Sequence, residues 1–178
     1  YTERFGLKGA FITKCTAQLM RDFGSIQSPQ NAFYLNLGIE SLPVRMKRHC
    51  ENAQKVAEFL NAHPKIESVT YCGLKTDKCY ELGQKYLPNG SCGVLAFTVK
   101  GTRKDAEKLM KNLKVAAIET HVADARTCCL HPASATHRQL TDEQLIACGV
   151  TPTLIRYSCG IENADDLIED LAQALEKI

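Results

Sequence analysis

The chain has 178 residues, a hydrophobic fraction of 44%, a charged fraction of 24% and a formal net charge of +2. This length and composition fit one ordinary globular domain. So small a net charge argues against a nucleic-acid partner. No run of 18 apolar residues occurs in the sequence, so we expect no transmembrane helix and no membrane partner.

Nine cysteines are many for a chain of this length, but none forms a Cys-x-x-Cys pair. Disulfide frameworks are typical of small secreted chains, so we expect reduced, mostly buried thiols in a cytoplasmic protein. No charged start followed by an apolar stretch marks a signal peptide. The chain begins at Tyr1 rather than Met, so we expect it to be part of a longer protein, although processing would look the same.

The first third of the sequence is predicted to be helical. Apolar residues four apart predict a helix over residues 8–23. Ser28 is a predicted N-cap, with Pro29 at the first helical position. An apolar stripe then continues in steps of three and four to about residue 62. Pro43 is expected to kink this long helix, because its ring clashes with the carbonyl of residue 39.

Strands and helices alternate in the rest of the chain, and their connections are short. We predict an α+β fold: a small, mostly antiparallel sheet with helices packed on one side, preceded by the long kinked helix. The predicted strands cover residues 66–71, 94–99, 115–118, 126–130 and 154–158. The predicted helices cover residues 76–86, 102–113, 141–149 and 163–178.

A single charged residue, Arg156, interrupts the apolar strand over residues 154–158. Side chains alternate along a strand, so Leu154, Arg156 and Ser158 share one face. A guanidinium on a partly buried strand needs an anion, which could be a substrate carboxylate or an Asp or Glu of the same fold. From the strand alone, the internal ion pair is the favoured interpretation.

Two other patterns suggest chemistry less strongly. His131 and His137 flank a loop, but a zinc site needs three or four ligands, so hydrogen-bonded structural histidines are favoured over a metal site. Ser134 lacks the Gly-x-Ser-x-Gly context of a hydrolase nucleophile. Lys14 follows a threonine, as Schiff-base lysines often do, but its place in a helical pattern favours an exposed lysine.

Five segments, in order along the chain, resemble the Cys/Met-metabolism family of pyridoxal-phosphate (PLP) enzymes. The similarity is greatest to the branch of O-acetylhomoserine sulfhydrylases. It covers nearly the whole chain, and five segments in the family's order are far more specific than any one. The segments are Ser28–Phe33, Gly38–His49, Tyr86–Gly90, His131–Leu140 and Ile155–Glu162, the last followed by Asp165, Asp166 and Leu167.

The resemblance implies a fold-type-I enzyme with a large PLP-binding domain and a smaller C-terminal domain. Residues 1–27 then correspond to the tail of the large domain and residues 28–178 to the small domain. The family's cofactor lysine would lie upstream of Tyr1. We therefore expect PLP in the full-length enzyme, but no bound cofactor, catalytic residue or activity in this chain alone. The family is typically a homotetramer, so homo-oligomerisation is expected.

The resemblance also changes the interpretation of Arg156, which corresponds to the family arginine that binds the substrate α-carboxylate. His121 would face the same carboxylate through its backbone or its side chain. Thr136 is a further candidate at the substrate site, where it would order the loop together with His137. Ala123 stands where the family usually has glycine.

The implied reaction joins O-acetylhomoserine and sulfide to give homocysteine and acetate, a step in methionine or cysteine biosynthesis. The partner is then a small-molecule amino acid. Two alternatives stay open within the family: a cystathionine γ-synthase or a methionine γ-lyase. A third alternative, from a different class, is a non-catalytic amino-acid-binding regulatory module.

Overall fold

The computed structural model describes residues 1–178, which divide into two compact units, Tyr1–Leu42 and Pro43–Ile178. This division lies at residues 42 and 43. The boundary at residues 27 and 28, which the family resemblance implies for its two domains, stays a prediction. No helix is both long enough and apolar enough to span a bilayer.

The first unit is entirely helical. It consists of α1 (Thr2–Lys14), a π-helical segment (Cys15–Met20), α2 (Arg21–Phe23) and α3 (Pro29–Glu40). Gly6 interrupts α1 with a non-helical φ of 66° and ψ of 171°, so the continuous helix starts just after Gly6, close to the predicted residue 8. The predicted cap of α3 is confirmed, because Ser28 Oγ accepts a hydrogen bond from Asn31 N at 3.2 Å.

The long kinked helix of the prediction is in fact two helices. A turn at Ser41 separates α3 from α4, which covers Leu42–Ala62. Pro43 has no N–H to donate, and its ring excludes the carbonyl of Ile39 from a regular turn. In this chain these effects end one helix and start the next.

The second unit contains one five-stranded sheet, which is built from β1 (Ile66–Thr70), β2 (Val94–Val99), β3 (Ala117–Ile118), β4 (Cys128–Leu130) and β5 (Leu154–Ser158). The strand order in the sheet is β1-β2-β5-β4-β3. All neighbouring strands are antiparallel except β3 and β4, so the predicted mostly antiparallel sheet is confirmed.

Helices cover one face of the sheet and form the core with it. Apolar residues of α4 and of the helices Arg103–Asn112 and Ala164–Leu175 join Leu95, Phe97, Ile155 and Tyr157 in one buried cluster. Removal of this apolar surface from water is the main stabilising contribution. The remaining helices are α5 (Tyr80–Tyr86), α6 (Arg103–Asn112), a 3-10 turn (Pro132–Ser134), α7 (Asp142–Ala147) and α8 (Ala164–Leu175).

Local capping fixes where several helices begin. Thr102 N donates to Asp105 Oδ2 at 2.7 Å before α6, and hydrogen bonds from Thr102 lower the pKa of Asp105. Thr141 N donates to Gln144 Oε1 at 2.9 Å in the capping box before α7. Each pattern uses residues three apart, so it could be read from the sequence.

Candidate functional site

Arg156 lies at the centre of β5 on the face opposite the helices. Its neighbours along the strand, Ile155 and Tyr157, have no exposed surface and belong to the core. Across the sheet, Arg156 pairs with Ala96 of β2 on one side and Leu130 of β4 on the other. Two apolar neighbours thus flank the half-buried guanidinium. Its position on the face opposite Ile155 and Tyr157 is the one predicted from the alternation of side chains along a strand.

The guanidinium of Arg156 bonds only to backbone carbonyls. Nη2 donates to Thr120 O at 2.6 Å and to His121 O at 3.3 Å. No Asp or Glu lies within ion-pair distance, so the internal ion pair favoured from the strand alone is wrong. Nε and Nη1 remain free to donate to an anion from outside this chain.

The carbonyls that orient Arg156 belong to the loop between β3 and β4, residues 119–127, called the carbonyl loop below. His121 faces Arg156 through its backbone oxygen. Its side chain pairs with an acid instead, because Nδ1 lies 2.9 Å from Glu119 Oε2 and 3.9 Å from Asp124 Oδ2. The structure thus places the His121 carbonyl against the Arg156 guanidinium, and a contact of His121 with a substrate carboxylate stays a prediction.

Two further residues hold the carbonyl loop, and the sequence had not singled them out for this role. Ser158 Oγ accepts a hydrogen bond from Ala123 N at 3.3 Å. Glu162 accepts from Thr127 N at 2.7 Å and from Thr127 Oγ1 at 2.8 Å. The available signals were that Ser158 shares the face of Arg156 and that Glu162 lies in a family segment.

Cys128 lies opposite Ser158 across the sheet, near the same site. Burial, and secondarily the nearby Glu119, raise the pKa of its thiol. Burial also raises the pKa of the adjacent Cys129 to about 12. Both are therefore neutral thiols at neutral pH, and a thiol rather than a thiolate is a poor nucleophile.

The loop after β4 is held by its own hydrogen bonds. His131 is buried, with Nδ1 2.9 Å from Ser134 Oγ and Nε2 2.8 Å from Pro152 O. Burial lowers the pKa of His131, which favours a neutral ring. Ser134 Oγ in turn donates to Glu107 Oε1 at 2.5 Å. The serine thus stands between acid and imidazole, which is not the order of a hydrolase triad.

Thr136, the third predicted site residue, is exposed and bonds to its neighbour, with Oγ1 2.9 Å from His137 Nδ1. No hydrogen bond connects it to Arg156 or to the carbonyl loop. The structure therefore brings Arg156 and His121 together and does not join Thr136 to them. No group of three or more His, Cys, Asp or Glu side chains is arranged to hold a metal ion.

The groups around Arg156 suit a carboxylate and do not suit covalently held PLP. No lysine amine takes part in the hydrogen bonds there, and a Schiff base with PLP needs such an amine. Lys14, the lysine that follows a threonine, lies at the end of α1 in the first unit. The arrangement can bind and orient a small anion at a guanidinium whose cross-strand neighbours are apolar.

Sequence and structure comparisons agree on the family. Residues 7–176 match the Cys/Met metabolism PLP-dependent enzyme family. The O-acetyl-L-homoserine sulfhydrylase of Leptospira meyeri is 46% identical over 97% of this chain and 39% of its own length. An L-methionine gamma-lyase of Fusobacterium nucleatum subsp. polymorphum is 43% identical over 87% of this chain and 39% of its own length.

A solved structure shares the fold at comparable identity. It is a Campylobacter jejuni protein assigned as an O-acetylhomoserine (thiol)-lyase, with N'-pyridoxyl-lysine-5'-monophosphate. The TM-score is 0.84 at 39% identity, over 94% of this chain and 40% of that one. The chain spans about 39% of the length of the curated relatives named above. From the match over residues 7–176, the chain belongs to the Cys/Met metabolism PLP-dependent enzyme family.

Proposed function

We propose that this chain is the substrate-carboxylate-binding part of an O-acetylhomoserine sulfhydrylase, which forms homocysteine and acetate from O-acetylhomoserine and sulfide. The observation that carries the proposal is the free charge of Arg156: two carbonyls orient its guanidinium, and no acid neutralises it. A guanidinium binds a carboxylate through charge-assisted hydrogen bonds. The similarity to the Leptospira meyeri sulfhydrylase supports this branch of the family.

The contribution of this chain is to fix the direction of the amino acid. In enzymes of this class, PLP supplies the electron-withdrawing ring. Arg156 would hold the α-carboxylate and so limit the orientations of the bonds around Cα, which lowers the entropy cost of reaction. The nine free thiols also support a cytoplasmic location, where thiols stay reduced.

The decisive test changes Arg156 in the full-length protein that carries these residues. Arg156→Ala should lower kcat/KM for O-acetylhomoserine roughly 10- to 100-fold, because hydrogen bonds to a charged partner are lost. Arg156→Lys keeps the positive charge but loses the two-pronged hydrogen bonding of the guanidinium. Its kcat/KM should therefore lie between the values of the wild type and of Arg156→Ala. Arg126→Ala removes an exposed cation of the carbonyl loop and is the matched control. Equal effects of the two alanine variants would exclude the proposed role.

The identity to an L-methionine gamma-lyase favours a second candidate, elimination from methionine. The two activities are separable by product. Sulfide-dependent homocysteine formation from O-acetylhomoserine supports the sulfhydrylase, whereas thiol release from L-methionine without sulfide supports the lyase. The carboxylate-binding role of Arg156 is common to both, so the Arg156 variants test the site under either chemistry.

We also propose that the protein forms homo-oligomers, and that this chain alone associates as its concentration rises. The first unit has no buried residue, and its apolar side chains are exposed, among them Phe11 at 73% and Phe23 at 78%. Exposed apolar patches of this kind mark interaction surfaces.

Sedimentation velocity over a concentration series measures this association. The average sedimentation coefficient should rise with concentration and should fall back in the double variant Phe11→Ser, Phe23→Ser. Ile146→Ser, which removes an exposed apolar residue of the second unit, should leave it unchanged. A strictly monomeric profile at high concentration would contradict the prediction.

A further inference from the structure

The orientation of Arg156 depends on two carbonyl oxygens that lie in a loop rather than in a strand. These are Thr120 O and His121 O in the first half of the carbonyl loop. Loops move more readily than the elements they connect. Any movement of residues 120–123 therefore changes the orientation of the Arg156 guanidinium.

The second half of the carbonyl loop is fixed from the segment after β5. Ile161 N donates to Ala125 O at 2.9 Å, and Glu162 accepts two hydrogen bonds from Thr127. Gly160 N donates to Thr127 Oγ1 at 2.8 Å. These contacts act on residues 125–127 and leave residues 120–123 to be held by other means.

The first half is tied to β5 by two side chains of the same strand face. One is Arg156 itself, and the other is Ser158, which is 2% exposed and accepts from Ala123 N. Ala123 has a φ of 57°, in the left-handed region that disfavours residues with a Cβ. Such a conformation persists only where surrounding contacts hold it. The hydrogen bond to Ser158 is a contact of this kind.

We propose that Ser158 is a positioning residue for the substrate carboxylate. Its hydroxyl holds Ala123 in the left-handed conformation. This conformation places the Thr120 and His121 carbonyls where they orient the Arg156 guanidinium towards the substrate carboxylate. The inference rests on the proposed carboxylate-binding function of Arg156, and it assigns to Ser158 no contact with substrate or cofactor.

Ser158→Ala in the full-length enzyme is the first test. The KM for the amino-acid substrate should rise roughly three- to tenfold, as expected for the loss of one neutral hydrogen bond, while kcat changes less. Ser68→Ala, an exposed serine of the edge strand β1, is the matched control and should change neither constant. A kcat loss with unchanged KM would overturn the proposal.

A pair of inhibitors separates positioning from general loosening of the fold. L-homoserine carries the α-carboxylate, and 3-aminopropan-1-ol is the same molecule without it. Ser158→Ala should raise the inhibition constant of L-homoserine roughly three- to tenfold and leave that of 3-aminopropan-1-ol unchanged. Equal weakening of both compounds would show a structural effect and overturn the proposal.

Ala123→Gly provides a rescue that only this mechanism predicts. Glycine adopts positive φ at little cost, so the loop needs the Ser158 hydroxyl less. The double variant Ser158→Ala, Ala123→Gly should recover most of the lost affinity for L-homoserine, whereas failure to recover any counts against the proposal. If Arg156→Ala also leaves the KM unchanged, the proposed function fails. If Ser158→Ala leaves the KM unchanged while Arg156→Ala raises it, only the positioning role of Ser158 fails.

Discussion

Replacing Asp170 by alanine is expected to lower the melting temperature of the second unit by roughly 6–12 °C. Asp170 lies in α8 and is 4% exposed. Its carboxylate accepts from three consecutive backbone donors, Lys114 N at 2.7 Å, Val115 N at 2.9 Å and Ala116 N at 3.1 Å. These bonds attach the segment before β3 to the last helix.

The expected loss of stability in Asp170→Ala follows from the backbone N–H groups that lose their acceptor. Hydrogen bonds to a charged group contribute about 1.5–3 kcal/mol each, and a buried donor left without a partner costs about 1–3 kcal/mol. Lys114 and Val115 are exposed and can regain water, whereas Ala116 is 6% exposed and cannot readily do so. A net loss of about 3–4 kcal/mol is therefore expected.

Thermal unfolding followed by circular dichroism measures this loss. Asp170→Asn should be intermediate, because an amide offers only one acceptor oxygen. Asp166→Ala on the same helix is the control, since this carboxylate is exposed and contributes at most about 1 kcal/mol through the helix dipole. A shift for Asp170→Ala no larger than that of Asp166→Ala would contradict the assigned role.

Features that depend on near neighbours in the sequence could be predicted. Ser28 caps α3, Thr141 and Gln144 form a capping box, and the alternation around Arg156 places it on the face away from the core. Each of these depends on residues within four positions of one another. The sheet class also followed, because short connections between strands favour antiparallel pairing.

Features that depend on distant contacts could not be predicted from spacing. Spacing does not distinguish Asp170 from the other acids of α8, because its three backbone partners lie more than 50 positions away along the chain. The Ser41 break could not be distinguished from a proline kink, because both satisfy the same apolar stripe. Local spacing does not carry this information.

The candidate site shows the same division. The strand pattern predicted that Arg156 needs an anion, but it favoured an Asp or Glu of the same chain, and this was wrong. The tertiary fold decides whether an acid packs beside Arg156, and the strand pattern does not contain that information. The family resemblance predicted a substrate carboxylate instead. Neither indicated that Ser158 and Glu162 hold the carbonyl loop, because residues 119–127 are far from both in sequence.

Gly160→Ala is the second substitution expected to have a large effect, a loss of about 3 kcal/mol of stability. An added Cβ would lie 2.5 Å from Thr127 N and would also overlap Ala125 O and the Glu162 carboxylate. Two of these are backbone atoms of the carbonyl loop. They cannot withdraw without breaking the Ile161 N to Ala125 O bond of 2.9 Å.

The penalty at Gly160 arises from steric overlap. The control is therefore a glycine with open space around it: Gly38 in α3 has nothing within 4 Å of an added Cβ. Gly38→Ala should be neutral or stabilising, by up to about 1 kcal/mol. Chemical denaturation of the two variants gives the comparison, and a Gly160→Ala stability loss below about 1 kcal/mol would contradict the close packing. Because the displaced atoms belong to the carbonyl loop, the same substitution should also weaken binding of carboxylate ligands at Arg156.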